Sequence, residues 1–539
     1  MTPELYSRTI PRLLVSAADR DPAKTWLRSD DGSLTFEGAV AAAGLTAQAL
    51  DDAGVGVGDV VMMTASTTVP YLLCWLASAA LGAIAVAVNP RSTAAELAGL
   101  IGQTRPRVII TGPGLAGVVA AAASGDGDTG TQASERVPVL DVMTLVPGDW
   151  ADHAAMAAAS TRTTLPDRPS PDDLAVLIPT SGTTGRSKLV MQTHRAYAMA
   201  GEGFPFWMEL TADDRLMTTL PLFHVNAPAY SVMGSLARGA GLVLVERFSA
   251  SRFLDAARRH EATEFNAIGA MLEILMRQPE RPDDADTPLR LCYTGPAPER
   301  ERQLEMEKRF GLRIVVGYAL SESPYGLIWA RGTRPYGTLG SVRQHPYLGD
   351  VNEARIAGDD GRVLGPGATG ELQLHNPVLT PGYWGMPDET AQVMADGWLR
   401  TGDLVTANPD GTYTFVARVK EVIRRRGENL SPLEVEEVLQ THPAVMECAV
   451  VGVPSELSEE EVKAFLVASP GHELSFPELR AYAADRLATF KVPRYWEQVA
   501  ELPRTPTARV AKHRLPAGHP PAEYDADADG QSRAPEGEK

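Results

Sequence analysis

The sequence predicts a multidomain protein of α/β and α+β class: a large N-terminal domain with parallel or mixed sheets and packed helices, and a small C-terminal α+β domain. Three observations lead there. At 539 residues the chain exceeds what one ordinary core accommodates. Over its first half, short apolar runs alternate with helical stretches, the pattern of parallel strands joined by crossover helices. Beyond residue 421 the pattern becomes a compact set of helix, two strands and helix, too small for a large core of its own.

Taken in order, residues 14–53 read as helical stretches around a short strand at 25–27, with Leu34-Thr35-Phe36 introducing a further helix. Val60-Val61-Met62-Met63 reads as a buried strand, 69–80 as a helix, and 83–88 and 108–111 as further strands. The Ala-, Gly-, Asp- and Ser-rich stretch 121–134 is expected to be a flexible surface insertion. Thr193-His194-Arg195 opens a helix, and 216–220 is a strand. In the C-terminal part, 432–440 and 477–487 read as helices, and 449–453 and 462–467 as strands. The Pro-, Asp- and Gly-rich tail 516–539 is expected to be disordered.

Composition narrows the function. A hydrophobic content of 44 % supports cores of this size. A net charge of -18 excludes a general nucleic-acid or membrane-surface binder, because both need positive fields. Cys74, Cys292 and Cys448 lie far apart, without the spacing of a metal site or a disulfide framework, and are expected to be reduced and buried. The N-terminus lacks a basic region followed by an apolar core, and no window reaches the length of a membrane span. The chain reads as cytoplasmic.

The most informative stretch is Ile178-Pro179-Thr180-Ser181-Gly182-Thr183-Thr184-Gly185-Arg186-Ser187-Lys188. Two glycines let the backbone turn, hydroxyls and free N–H groups can point inward, and a lysine closes the run, so the loop can wrap a polyphosphate. Its spacing is not G-x-x-x-x-G-K-[ST], because Gly182 and Gly185 are too close and Leu189 follows the lysine. It resembles instead the T-S-G-T-T-G-x-x-K signature of the adenylate-forming superfamily, which contains acyl-CoA synthetases, luciferases and the adenylation domains of peptide synthetases. Further blocks follow in the superfamily's order: Pro221-Leu222-Phe223-His224, Gly295-Pro296-Ala297, Tyr318-Ala319-Leu320-Ser321-Glu322 for Y-G-x-T-E, Pro381-Gly382-Tyr383-Trp384, Thr401-Gly402-Asp403 and the hinge-like run 417–429. The resemblance covers roughly residues 5–515 and is greatest to acyl-CoA ligases.

The resemblance implies a domain at 1–417 holding the acyl and nucleotide sites, a hinge at 418–421 and a mobile domain at 422–515. It also implies ATP or acyl-AMP, Mg2+ and coenzyme A as cofactors, and a carboxylic acid or acyl-adenylate as partner. Thr180, Ser181, Gly182, Thr183, Thr184, Gly185 and Lys188 would cradle phosphate. Gly295, Pro296 and Ala297 would lie along the adenine, Tyr318 would stack on it, Ser321 would bond the α-phosphate and Glu322 would hold the metal. Asp403 would take both ribose hydroxyls, Arg418 the ribose or phosphate, and Lys420 would be the pivot. A pantetheine tunnel would pass Gly427. Phe223 and His224 would border the carboxylate, and Val225, Asn226, Ala227, Ile268, Gly269 and Ala270 the acyl pocket, whose small apolar residues leave room for a bulky or hydrophobic acid. Pro381-Gly382-Tyr383-Trp384 reads as packing beneath the site.

The terminal block departs from the superfamily pattern P-x-T-x-x-G-K: Ala508 and Arg509 stand where glycine and the catalytic lysine are expected. Arginine keeps the charge but offers a planar fork instead of a compact ammonium. Loss of one preorganised electrostatic donor typically costs on the order of 10²–10³ in rate. The expectation is therefore impaired adenylation with surviving CoA thioesterification of an acyl-AMP supplied by a separate adenylating enzyme. Lys512, three residues on, should lie elsewhere. An ordinary ligase, a stand-alone enzyme loading a carrier protein, and a non-catalytic nucleotide-binding relative remain open alternatives.

Overall fold

Val60-Val61-Met62-Met63 is apolar at every position because both faces of its strand are covered in the computed structural model, as in other buried parallel sheets. The structure describes residues 8–124, 137–161, 163–180, 187–425, 428–454, 460–504, 510–516 and 523–526. The chain divides into two compact units, Met1–Arg355 with Gln373–Thr401 and Ala407–Thr414, and Ile356–Leu372 with Gly402–Thr406 and Phe415–Lys539.

In the first unit, strand Val60–Thr64 belongs to a sheet ordered Val139–Asp141, Val108–Thr111, Val60–Thr64, Ile84–Ala87, Leu174–Thr180, Lys188–Thr193. The neighbours run parallel except the last pair, which is antiparallel. Val61 and Met63 face the main core with helix Val69–Ala80, which is buried along its whole length. Val60 and Met62 face a second cluster with Leu97 and Leu100 of helix Ala94–Thr104. That helix starts at a capping box in which Thr93 and Glu96 satisfy each other's free N–H groups. Helix Ala116–Ser124 extends into the stretch expected to be a flexible insertion: its alanines favour helix more than the flanking Gly and Ser oppose it.

The second sheet of this unit is ordered Ser341–Val342, Leu327–Ile328, Arg313–Tyr318, Leu291–Thr294, Glu264–Asn266, Arg215–Thr218, Gly241–Leu244, Thr25–Ser29, Gly32–Thr35. From Arg313–Tyr318 to Thr25–Ser29 the neighbours are parallel, and the two margins are antiparallel. Helix His194–Trp207, capped by the Thr193 hydroxyl on the Ala196 N–H, packs on the helical turns after residue 226. Also in the first unit, Met394-Ala395 pairs antiparallel with Trp398-Leu399, and in the second Ile356-Ala357 pairs antiparallel with Val363-Leu364.

The second unit contains hairpin Ile423–Arg425 with Glu428–Leu430, helices Pro432–Gln440 and Phe476–Ala484, and a sheet ordered Val445–Pro454, Glu460–Ala468, Tyr495–Gln498, Tyr524–Asp525. The last strand corrects the expectation of a disordered tail for residues 523–526. Tyr524–Asp525 pairs antiparallel with Tyr495–Gln498, Asp525 bonds Arg494 at 2.9 Å, and Glu523 reaches the buried Lys463 at 2.7 Å. Composition alone could not reveal those partners. Among the described residues no helix is long and apolar enough to cross a membrane. All three cysteines are free and buried.

His194 is buried where helix Ile10–Arg20 begins, and its Nδ1 accepts the Ile10 N–H at 3.4 Å. Burial pushes its pKa down to about 4, against partial support from Asp173 and Asp167. A depressed histidine binds fewer protons folded than unfolded, so stability should fall as pH drops from about 6.5 toward about 4, by roughly 3 kcal/mol in all. Urea unfolding across that range should show the loss, and His194→Asn, which keeps an acceptor and does not titrate, should remove most of it.

Candidate active site

In the first unit, the sequence-predicted residues gather where adjacent parallel strands end, the usual place for ligands in open α/β sheets. Strand Arg313–Tyr318 ends on the half-buried Tyr318 and leads to Ser321 and Glu322. Strand Leu291–Thr294 leads to Gly295-Pro296-Ala297, with a cis Gly295–Pro296 peptide. Strand Glu264–Asn266 leads to Ile268-Gly269-Ala270, and strand Arg215–Thr218 to the half-buried run Phe223-His224-Val225-Asn226. Phe223 and His224 rings lie 4.6 Å apart, and Ala227 opens a π-helical turn, Ala227–Val232. Pro296 comes within 3.9 Å of a Cβ built on Gly269, so the second and third of these strand ends meet.

Lys188 sits on a different support. Thr180 and Lys188 are cross-strand neighbours, so Lys188 opens a strand of the antiparallel pair Leu174–Thr180 and Lys188–Thr193. A nucleotide loop of the G-x-x-x-x-G-K-[ST] kind opens a helix instead. Ser181, Gly182, Thr183, Thr184, Gly185, Gly427 and Arg509 lie outside the described residues.

The strand carrying Lys188 is laced to the segment carrying Glu322. Gln192 Nε2 donates to the Ser321 carbonyl at 2.6 Å, and the Thr380 N–H donates to the Glu322 carbonyl at 2.7 Å. The Thr380 hydroxyl donates to the Met191 carbonyl at 2.6 Å. Tyr383 donates its hydroxyl to Glu322 Oε1 at 3.0 Å, and the Lys188 ammonium lies 4.5 Å from the centre of the same ring. Burial and the Glu322 carboxylate push the Tyr383 pKa up, so it stays a neutral donor. Sequence reasoning missed this contact because the Pro-Gly-Tyr-Trp block carries no titratable pattern beyond the tyrosine itself.

Asn266 was missed as well. It is fully buried, and its Nδ2 donates to Asn226 Oδ1 at 2.7 Å and to Ser231 Oγ at 3.3 Å. Its own Oδ1 is buried without a partner among the described residues, an arrangement that typically costs about 1–3 kcal/mol. The pair fixes Asn226 with its oxygen turned inward and its NH2 group left to donate. The signal available in sequence was slight, a polar residue closing the short strand Glu264-Phe265-Asn266.

Glu322 is a single carboxylate with one oxygen on Tyr383, and no group of three or more His, Cys, Asp or Glu side chains able to hold a metal occurs among the described residues. That donor set fits magnesium, which binds through one or two carboxylates with substrate phosphates and water, and does not fit a metal needing a protein cage.

In the second unit, Asp403 is buried and ion-paired to Arg418 Nε at 2.7 Å. Gly402, at φ +71°, donates its N–H to Glu371 Oε1 at 3.1 Å. Lys420 is exposed in the short turn Val419–Glu421. Lys512 pairs with Glu436 at 2.8 Å and Glu421 at 3.3 Å. Burial alone would lower its pKa, but the two carboxylates reverse the direction and raise it.

The family model for AMP-binding enzymes matches residues 14–384, and that for the AMP-binding enzyme C-terminal domain matches residues 434–509. The chain belongs to the AMP-binding enzyme family. Its relatives include crotonobetaine/carnitine–CoA ligase of Salmonella agona, 31% identical over 87% of this chain and 90% of that one. Sulfoacetate–CoA ligase of Cupriavidus necator is 30% identical over 95% and 98%. These place the chain among acid–thiol ligases of the family. ATP-bound MatB from Rhodopseudomonas palustris superposes with a TM-score of 0.79 at 26% identity, covering 94% of this chain and 98% of that one. The anthranilate CoA ligase AuaEII in complex with anthranoyl-AMP shares the fold, with a TM-score of 0.81 at 23% identity over 94% and 96%.

A Cβ at Gly295 would run into the Gly317 carbonyl oxygen of the neighbouring strand. Gly295→Ala should therefore destabilise the first unit by roughly 1–3 kcal/mol, the usual cost of overpacking. Denaturant unfolding checks this, with the half-buried Ala297→Gly as a control expected to change much less.

Proposed function

We propose that the chain forms an acyl-CoA thioester through an acyl-adenylate, with the adenylating half-reaction weakened by Arg509. The observation carrying the ligase reading is the convergence, on adjoining strand ends of one unit, of Tyr318, Ser321, Glu322 and the Gly295 turn, with Lys188 joined to Glu322 through Tyr383. In the first half-reaction a carboxylate oxygen attacks the α-phosphorus of ATP, and the bond to the departing pyrophosphate breaks. In the second, the CoA thiolate attacks the acyl carbon and AMP leaves with the electron pair of the broken C–O bond. Bound magnesium would supply neutralisation of phosphate charge beside Glu322. Lys188 and the Ser321 hydroxyl orient the phosphates, Tyr318 offers a flat face for the base, and the chemistry is mainly one of positioning and charge.

Arg509 enters from its motif. Lys512 does not replace the missing lysine, since its ammonium is committed to Glu436 and Glu421. Wild-type protein should make thioester readily from synthetic acyl-adenylate and CoA while showing weak acid-dependent pyrophosphate exchange. Arg509→Lys should raise that exchange by about 10²-fold or more, by the scale of a restored electrostatic donor. Robust wild-type exchange, or no gain in the variant, would remove the weakened-adenylation reading. Failure to make thioester from the adenylate would remove the ligase reading.

The acid is proposed to be polar away from its carboxylate, in place of the hydrophobic acid that small pocket residues alone suggest. Asn226 offers an NH2 group there, and Asn266 with Ser231 holds it. The relatives named for crotonobetaine, carnitine and sulfoacetate act on acids of this general kind. In thioester formation from matched adenylates, chains bearing a hydroxyl or carbonyl should be preferred over methyl isosteres by about tenfold, and Asn226→Leu should erase the preference. Equal rates for both members of each pair in the wild type would exclude the polar subsite.

A further inference from the structure

Lys188 and Glu322 both reach Tyr383, yet they form no ion pair with each other among the described residues. The cation lies over the face of the ring, and the carboxylate takes the hydroxyl at the ring's edge. We propose that Tyr383 is a positioning residue: a spacer that keeps the ammonium and the carboxylate apart and separately aimed, so that the first remains available to phosphate and the second to the magnesium accompanying it. This rests on the ligase reading and adds to it a division of labour within one side chain.

The backbone is built to hold that ring still. The Tyr383 N–H donates to Thr390 Oγ1 at 2.9 Å, and Tyr383 bridges to Val190 in the strand that begins at Lys188. The Trp384 N–H donates to the Leu189 carbonyl at 2.9 Å, and the Met191 N–H to the Gly382 carbonyl at 3.0 Å. Gly382 takes φ +137°, and a Cβ there would strike the Thr390 side chain, so glycine is required for the ring to lie beneath Lys188. The ring is buried, and its hydroxyl donates to Glu322. An opposite-charge pair left in contact would neutralise itself and bind neither anion nor cation well. A phenol between them satisfies the carboxylate with one hydrogen bond and the ammonium with a π face, leaving the rest of each group's capacity for ligand.

The two contacts separate chemically, which makes the idea testable by ATP binding without turnover. Calorimetric titration of the full chain with ATP, once with excess Mg2+ and once with EDTA, reads the metal-dependent and metal-independent parts of affinity. Tyr383→Phe keeps the ring and removes the hydroxyl. It should leave affinity in EDTA within about twofold while cutting the enhancement by Mg2+ about tenfold, the loss expected for one charge-assisted hydrogen bond. Tyr383→Leu removes both contacts and should weaken affinity in either condition. Thermal melting confirms that the phenylalanine variant is folded. If Tyr383→Phe matched wild type with and without Mg2+, or lost affinity equally in both, the tyrosine would be packing and the inference would fail with the ligase reading intact. A wild-type chain that bound no ATP in either condition would overturn the inference, while the ligase reading would still be decided separately by thioester formation from the adenylate.

Discussion

The first unit depends on how closely the ends of its neighbouring strands approach one another. A Cβ at Gly295 would meet the Gly317 carbonyl, one at Gly326 the Tyr318 carbonyl, and one at Gly340, at φ +85°, the backbone of Ile328. These contacts run in series along one margin of the sheet, so each glycine is needed for the next strand to sit where it does. Gly317 also leaves room for Arg343, which is fully buried and donates to the Tyr230 and Tyr293 hydroxyls and to the Pro324 and Leu327 carbonyls. Its guanidinium also stacks on the rings of Trp207, Tyr230 and Tyr293. A buried cation is tolerable when its hydrogen bonds are met and aromatic faces share the charge. The consequence is a rigid ledge that ends in Tyr318 and delivers Ser321 and Glu322 at a fixed place.

The second support of the site, the hairpin bearing Lys188, is rigid for a different reason. Its strands lie in a sheet buried on both faces, with Leu177 and Leu189 in one cluster and Val176, Ile178 and Val190 in the other. A lysine at the first position of such a strand has a fixed base and a long, adjustable stem. Gln192, Thr380 and Tyr383 then tie this hairpin to the ledge. Two elements that are each rigid are joined by side-chain bonds, a cheaper way to fix relative position than covering both with one larger core.

Much of this architecture was legible before any coordinates because burial leaves a strong periodic trace. The run Val60-Val61-Met62-Met63 reads as a buried strand and is one, the helix expected over 69–80 is Val69–Ala80, and the helix expected to open at Thr193-His194-Arg195 is His194–Trp207. Motif order located the strand ends that lead to Phe223, Gly295 and Glu322. What was not legible depends on partners distant in sequence. Asn266 is an unremarkable polar residue at a strand end until Asn226 and Ser231 are beside it. Tyr383 looked like packing until Lys188 and Glu322 were found on opposite parts of it. Residues 523–526 have the composition of a tail, and only the free edge of Tyr495–Gln498 and the buried Lys463 make them a strand.

In the second unit, burial and charge together decide what Lys512 can do. Glu436 is buried, and burial pushes its pKa up while the Lys512 ammonium opposes that shift; the Val450 N–H also donates to it at 2.6 Å. Swinging Lys512 out to serve a substrate would leave that carboxylate buried with its cation gone, and breaking a buried pair in this way commonly costs about 3–5 kcal/mol. A residue that must leave such a pair for each turnover would add a comparable amount to the barrier. Lys512 is therefore a structural cation, and Glu421 joins it to the turn that carries Lys420.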